Sequence, residues 1–201
     1  MIRNIIFDLG NVLISFKPAE FLARSSYSNE QIEIILNDVF LSYEWLELDN
    51  GDITLSEAIK SISGKSSLSE EELGTIFDLR TEIMIPITDN IKLLPELKKR
   101  GYRLYFLSNF PADIFPKIKN DNFFFKYFDG GIISAEVRVS KPERRIYEIL
   151  LMRFSLKPEE SVFIDDIEKN VLSAVETGMY GIHAYSPEIV SSELEKILSA
   201  E

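Results

Sequence analysis

The chain has 201 residues, of which 45% are hydrophobic and 27% charged, with a net charge of −11 and no cysteine. That length suits one α/β domain, alone or with a smaller insertion, and the composition excludes disordered and membrane-embedded classes. The acidity speaks against general binding to nucleic acid or an anionic membrane, which needs a basic footprint, and the missing cysteine removes disulfides, thiolate metal sites and thiol nucleophiles.

The first element is Ile5-Ile6-Phe7-Asp8-Leu9-Gly10-Asn11-Val12-Leu13, an apolar run that delivers one carboxylate and then breaks at a glycine. It reads as a strand buried on both faces, not as a signal peptide, since Asp8 cuts the apolar run short. No stretch approaches the ~20 apolar residues of a membrane span. A soluble cytoplasmic protein, monomeric or homodimeric, is expected.

From about residue 17 to 86 the chain reads as short helices. Ser28 with Gln31, Thr54 with Glu57 and Ser69 with Glu72 have capping-box spacing. Ile32, Ile35, Leu36 and Val39 share one helical face, and Glu70-Glu71-Glu72 suits a solvated helix start. Regular βα alternation follows. A helix is expected over Asp89 to Arg100, a strand over Tyr102 to Leu107, and a helix from Ile114 to Phe128 with its aromatic tail turned to the core. Next come a strand from Gly131 to Ser134 and a helix from Pro142 to Arg153. Val162 to Ile164 is a strand, Glu168 to Glu176 a helix, and Gly181 to Tyr185 a strand that holds the sole histidine, His183, as a packing residue. Ser186-Pro187-Glu188 starts a last helix. This order predicts a parallel α/β sheet with helices on both faces. Residues 1–16 and 87–201 would form its core, and 17–86 a small all-helical insertion.

Three predicted strands end in polar residues at one edge: Asp8, Ser108-Asn109 and Asp165-Asp166. Lys141 lies between the last two. Adjacent carboxylates repel and persist most readily beside a cation. Together the set suits phosphoryl transfer. Asp8 can attack phosphorus, and Mg²⁺ offsets the repulsion between carboxylate and phosphate. Ser108, Asn109 and Lys141 can stabilise the phosphoryl oxygens.

Phe-Asp-Leu-Gly-Asn-Val-Leu, Leu-Ser-Asn, Ser-Lys-Pro and Phe-Ile-Asp-Asp, in this order, resemble the four motifs of the haloacid dehalogenase superfamily. Residues 17–86 sit where that superfamily inserts a helical cap over a Rossmann-like core. Trp45 to Thr54 resembles a cap segment of the subgroup with glucose-1-phosphate phosphatases and the epoxide hydrolase phosphatase domain. The resemblance implies a Mg²⁺-dependent phosphatase for a small phosphorylated metabolite such as a sugar phosphate. Asp8 would be nucleophile and metal ligand, with Gly10 (through its carbonyl) and Asp166 as further ligands. Ser108, Asn109 and Lys141 would bind phosphate, and Asp165 and Asn170 would support the site.

One departure stands out. Most phosphatases of the superfamily carry a general acid two residues after the nucleophile, where this chain has Gly10. The cap residues Glu44, Glu47 and Asp49 are candidate replacements; alternatively the leaving group needs little protonation, as with a sugar 1-phosphate, whose hemiacetal hydroxyl is more acidic than an ordinary alcohol. Trp45 is a packing anchor or a plate for a sugar ring. Two competing readings are a metal-independent haloacid dehalogenase and a non-catalytic binding relative.

Overall fold

The first apolar run does form a strand, β1 (Asn4–Phe7), with every residue buried. The computed structural model describes residues 1–199. The other strands are β2 (Ile14–Phe16), β3 (Met84–Pro86), β4 (Arg103–Ser108), β5 (Gly130–Ile133), β6 (Ser161–Asp165) and β7 (Tyr180–His183). Five of them form a parallel sheet in the order β5-β4-β1-β6-β7. β1 is central, its Phe7 level with Phe106 of β4 and Ile164 of β6. All three chains therefore end at one edge.

Alternation along β1 sends Ile5 and Phe7 to one face and Ile6 to the other. On the first face they pack with Leu94 and Leu97 from the helix Leu93–Lys99 and with Val190 and Leu194 from the helix Pro187–Ser199. On the second, Ile6 and Phe163 meet Ile146, Tyr147 and Leu150 of the helix Arg144–Arg153, and Ala174 of the helix Glu168–Glu176. Both faces are covered, which explains the unbroken apolar strands. Gly131 lets β5 close against β4, where a Cβ would stand 2.4 Å from the Phe106 ring.

The chain between β2 and β3 is helical and has its own apolar cluster, including Leu22, Ile35, Val39, Leu48, Ile62, Leu73 and Phe77. All three capping boxes form. β2 and β3, which the residue pattern did not suggest, pair antiparallel with Ile14 opposite Pro86 and so tie the entry of this segment to its exit.

Several expected boundaries shift. The helix expected over 89–100 is divided into Thr88–Ile91 and Leu93–Lys99. Pro95 has no N–H to offer the Ile91 carbonyl. The helix expected from 114 to 128 ends at Asp121, and a 3-10 turn, Phe123–Tyr127, buries Phe124 and Phe125 while leaving Phe123 exposed. Pro142 does not open a helix. It follows a cis peptide in a turn closed by Glu143 N–H to the Ser140 carbonyl, and the helix starts at Arg144. The last strand ends at His183, before Tyr185. No helix among the described residues is long and apolar enough to cross a membrane.

Candidate active site

Asp8 leaves the end of β1 almost fully buried, at 6% exposure. Its Oδ1 lies 2.8 Å from Lys141 Nζ, and the same ammonium lies 2.6 Å from Asp165 Oδ2 at the end of β6. The Ser108 hydroxyl, at the end of β4, also hydrogen-bonds to Asp8. The strand ends thus converge as their alignment requires.

Each neighbour of Lys141 has a separate task. Asn109 clasps its main chain, Nδ2 donating to the Lys141 carbonyl at 2.9 Å and Oδ1 accepting from the Lys141 N–H at 2.8 Å. This amide holds the lysine loop with one of its two N–H donors, and the other remains for a phosphoryl oxygen. Asp165 is saturated by protein donors. Besides Lys141, it accepts from the Ile167 N–H at 2.8 Å and from Asn170 Nδ2 at 3.0 and 3.1 Å. Asn170 is in turn anchored by the Tyr147 hydroxyl, which donates to its carbonyl at 2.8 Å.

Charge dominates this pocket. Burial pushes the Asp8 carboxyl upward, Lys141 opposes and Asp165 adds to the rise. Burial lowers Lys141, but the two carboxylates outweigh it and the ammonium is held. Burial first, then Asp165, raise Asp166, which is half-buried and hydrogen-bonded to the Asn11 side chain. Asp8, Asp165 and Asp166 offer oxygens that all lie within 4.8 Å of one another. Three carboxylates thus face one ammonium. With Asp165 consumed internally, the oxygens left for a cation are those of Asp8 and Asp166. An all-oxygen set with excess negative charge suits a hard divalent ion.

Gly10 is open. A Cβ there would meet only Asp8 Oδ2, at 4.0 Å. The candidates from the helical segment separate clearly. Glu44 is buried but accepts from Ser61 Oγ at 2.6 Å and pairs with Lys65 at 2.7 Å. Burial raises its carboxyl, yet these partners outweigh it and hold it below the ordinary range. Glu47, two positions before Asp49 on the helix Tyr43–Asn50, points to another side of that helix. Trp45 stacks against Phe16 at 5.6 Å and Phe77 at 6.0 Å between ring centres, which makes it a packing anchor of the helical segment. Its side chain hydrogen-bonds to Asp49. Burial raises the Asp49 carboxyl to about 7. Arg80 opposes, Asp8 adds, and Lys141 is also within electrostatic range.

Residues not foreseen fasten the helical segment to the sheet. Ser134 accepts from the Phe110 N–H at 2.9 Å and donates to the Asp49 carbonyl, and Ser140 donates to Asn50 Oδ1. Arg80, 3% exposed, makes a two-point pair with Asp113, the shorter bond being 2.6 Å. His183 Nε2 lies 2.9 Å from the Asp166 carbonyl, bracing the loop after β6. A cleft of about 520 Å³ opens beside Asp166, between Asn11, Lys17 and Tyr185.

The chain is 28% identical to the sesquiterpene phosphatase of Aspergillus oryzae, over 96% of this chain and 95% of that one. It is 26% identical to the glyceraldehyde 3-phosphate phosphatase of Methanothermobacter thermautotrophicus, covering 96% and 88%. Its fold matches a solved enzyme from Bacteroides thetaiotaomicron, described in complex with magnesium and inorganic phosphate, with a TM-score of 0.71, 26% identity and 90% and 93% coverage. The model of the haloacid dehalogenase-like hydrolases matches residues 2–178, and the chain belongs to that family of hydrolases.

Proposed function

We propose that the protein is a Mg²⁺-dependent phosphatase that hydrolyses a small phosphate monoester through an aspartyl phosphate on Asp8. The observation that carries this reading is the pairing of Asp8 with Lys141 at 2.8 Å inside a cluster of three carboxylates. A buried ammonium and surplus carboxylates form a site for an anion and a cation together. The phosphatase relatives and the magnesium and phosphate held by the Bacteroides enzyme support it.

In this reading Asp8, the Gly10 carbonyl and Asp166 hold Mg²⁺. The bound ion would offset the charge of the phosphoryl group and orient it for in-line attack. Asp8 attacks phosphorus and displaces the alcohol, and water then hydrolyses the acyl phosphate. Lys141 and Ser108 stabilise the phosphoryl oxygens. Asn109 and Asp165 fix Lys141. Residues 17–86 act as a cap that excludes water from a core made of 1–16 and 87–201.

The test is turnover of a nitrophenyl phosphate with and without Mg²⁺, in the parent and in Asp8→Asn. Turnover should depend on Mg²⁺ and fall to background in the variant. A parent that releases no phosphate, or a variant that retains its rate, overturns the reading. A screen of phosphorylated metabolites then identifies the alcohol.

A further inference from the structure

A poor leaving group needs a proton as the P–O bond breaks, and nothing at Gly10 can give one. The position is empty, with a Cβ there 4.0 Å from Asp8 Oδ2 and no other atom within that range. A proton donor must therefore come from elsewhere. The helical segment brings one carboxyl, Asp49, within electrostatic range of Asp8 and Lys141.

Asp49 is the penultimate residue of the helix Tyr43–Asn50, and that helix end is tied to the sheet edge by one bond to its own carbonyl and one to the side chain of its neighbour. Its carbonyl accepts from Ser134 Oγ, which itself accepts from the N–H of Phe110, next to Ser108-Asn109. Its neighbour Asn50 accepts from Ser140, next to Lys141. Gly51 then packs so closely on Ala135 that a Cβ would lie 2.6 Å from the Ala135 carbonyl oxygen. The carboxyl is oriented by the Trp45 side chain and lies within electrostatic range of Asp8, Lys141 and Arg80.

We infer that Asp49 is the general acid and base of this enzyme, lent by the helical segment in place of the acid absent at Gly10. This rests on the phosphatase reading above. As Asp8 Oδ bonds to phosphorus and the P–O bond to the alcohol breaks, the Asp49 carboxyl O–H passes its proton to the departing oxygen. The Asp49 carboxylate then takes a proton from the water that attacks the acyl phosphate, whose P–Oδ bond breaks to free Asp8 and release phosphate. The carboxyl protonated up to about pH 7 suits the first step.

The experiment is single-turnover alcohol release, which reads only the first step, from a nitrophenyl phosphate and from a primary alkyl phosphate. In Asp49→Asn the alkyl ester should slow by about 10²–10⁴, the usual worth of general acid help, while the nitrophenyl ester, whose leaving group needs no proton, slows by less than about tenfold. Gly10→Asp added to Asp49→Asn should restore much of the alkyl rate, because the space is there. Equal slowing of both esters, or no slowing of the alkyl ester, overturns the assignment. Thermal melting of each variant separates misfolding from lost chemistry, and should Asp49→Asn melt early, Asp49→Glu must keep the leaving-group pattern of the parent or the assignment fails. The phosphatase reading fails separately, by a parent without turnover, and this assignment falls with it.

Discussion

At residue scale the raised carboxyl of Asp49 makes stability depend on pH. Its folded form titrates at about 7, while the unfolded chain keeps the ordinary value of 3.8. The folded state therefore holds more protons between these values. This contribution is complete below about 3.8 and is lost as pH rises through about 7. Asp49→Asn is neutral throughout and keeps an acceptor for Trp45. Full conversion of the shift would give about 4 kcal/mol, but Asp49 retains some exposure, so about 2 kcal/mol is expected. Urea unfolding without metal should show the variant gaining about 2 kcal/mol on the parent between about pH 3.5 and 8. A constant difference across that range contradicts the protonated carboxyl. The convergence of Asp8, Ser108, Lys141 and Asp166 was legible because each follows an apolar run or a turn at a predictable edge. Arg80, Asp113 and Ser134 were not. A lone charge or hydroxyl reads as a solvated face until the fold brings its partner near. The clasp of Asn109 on the Lys141 main chain was not legible, since only the folded loop shows Lys141 within its reach.

At the scale of elements, capping boxes and buried strands could be read locally, because their signals lie within a few residues. The β2–β3 ribbon could not. Each of its strands has three residues, and their partners are far apart in the chain. The junction at Gly51 was visible only as a turn, yet it seats the helix that carries Asp49. Its φ of +73° lies in the left-handed region, and Ala135 leaves no room for a Cβ. Gly51→Ala therefore combines about 1–2 kcal/mol of backbone strain with a clash at the seam. The helix end should lift from Ala135, lowering kcat/KM for an alkyl ester by about tenfold or more, as positional loss of reacting groups does. The sheet below should be untouched, so far-ultraviolet circular dichroism of the variant should match that of the parent. An unchanged kcat/KM would mean that the seam does not position the site.

For the whole molecule, the predicted alternation of strands and helices gave the parallel α/β class, since such units with right-handed crossovers leave few arrangements, while the strand order β5-β4-β1-β6-β7 is seen only in the fold. The net charge of −11 is distributed so that one buried ammonium sits among carboxylates at the sheet edge. Mg²⁺ at that site, as proposed, would link catalysis to stability. At ~100 times its dissociation constant the ion should raise the unfolding free energy by about 2.7 kcal/mol, seen as a higher melting temperature. EDTA should reverse the gain and abolish turnover together, and Asp166→Asn should weaken both. Turnover that survives chelation would return the metal-independent reading to the front.

The ribbon joining Ile14–Phe16 to Met84–Pro86 also bears on how such a protein diversifies. It holds the two ends of the helical segment side by side, so the sheet does not register how long that segment is or what it contains. Each doubling of inserted length costs only about 0.6 kcal/mol of closure entropy. A lineage can exchange the whole segment by recombination at two adjacent points and keep Asp8, Lys141 and Asp166 unaltered. Where the proton donor resides in the exchanged piece, as proposed for Asp49, substrate preference and acid catalysis are inherited as one unit.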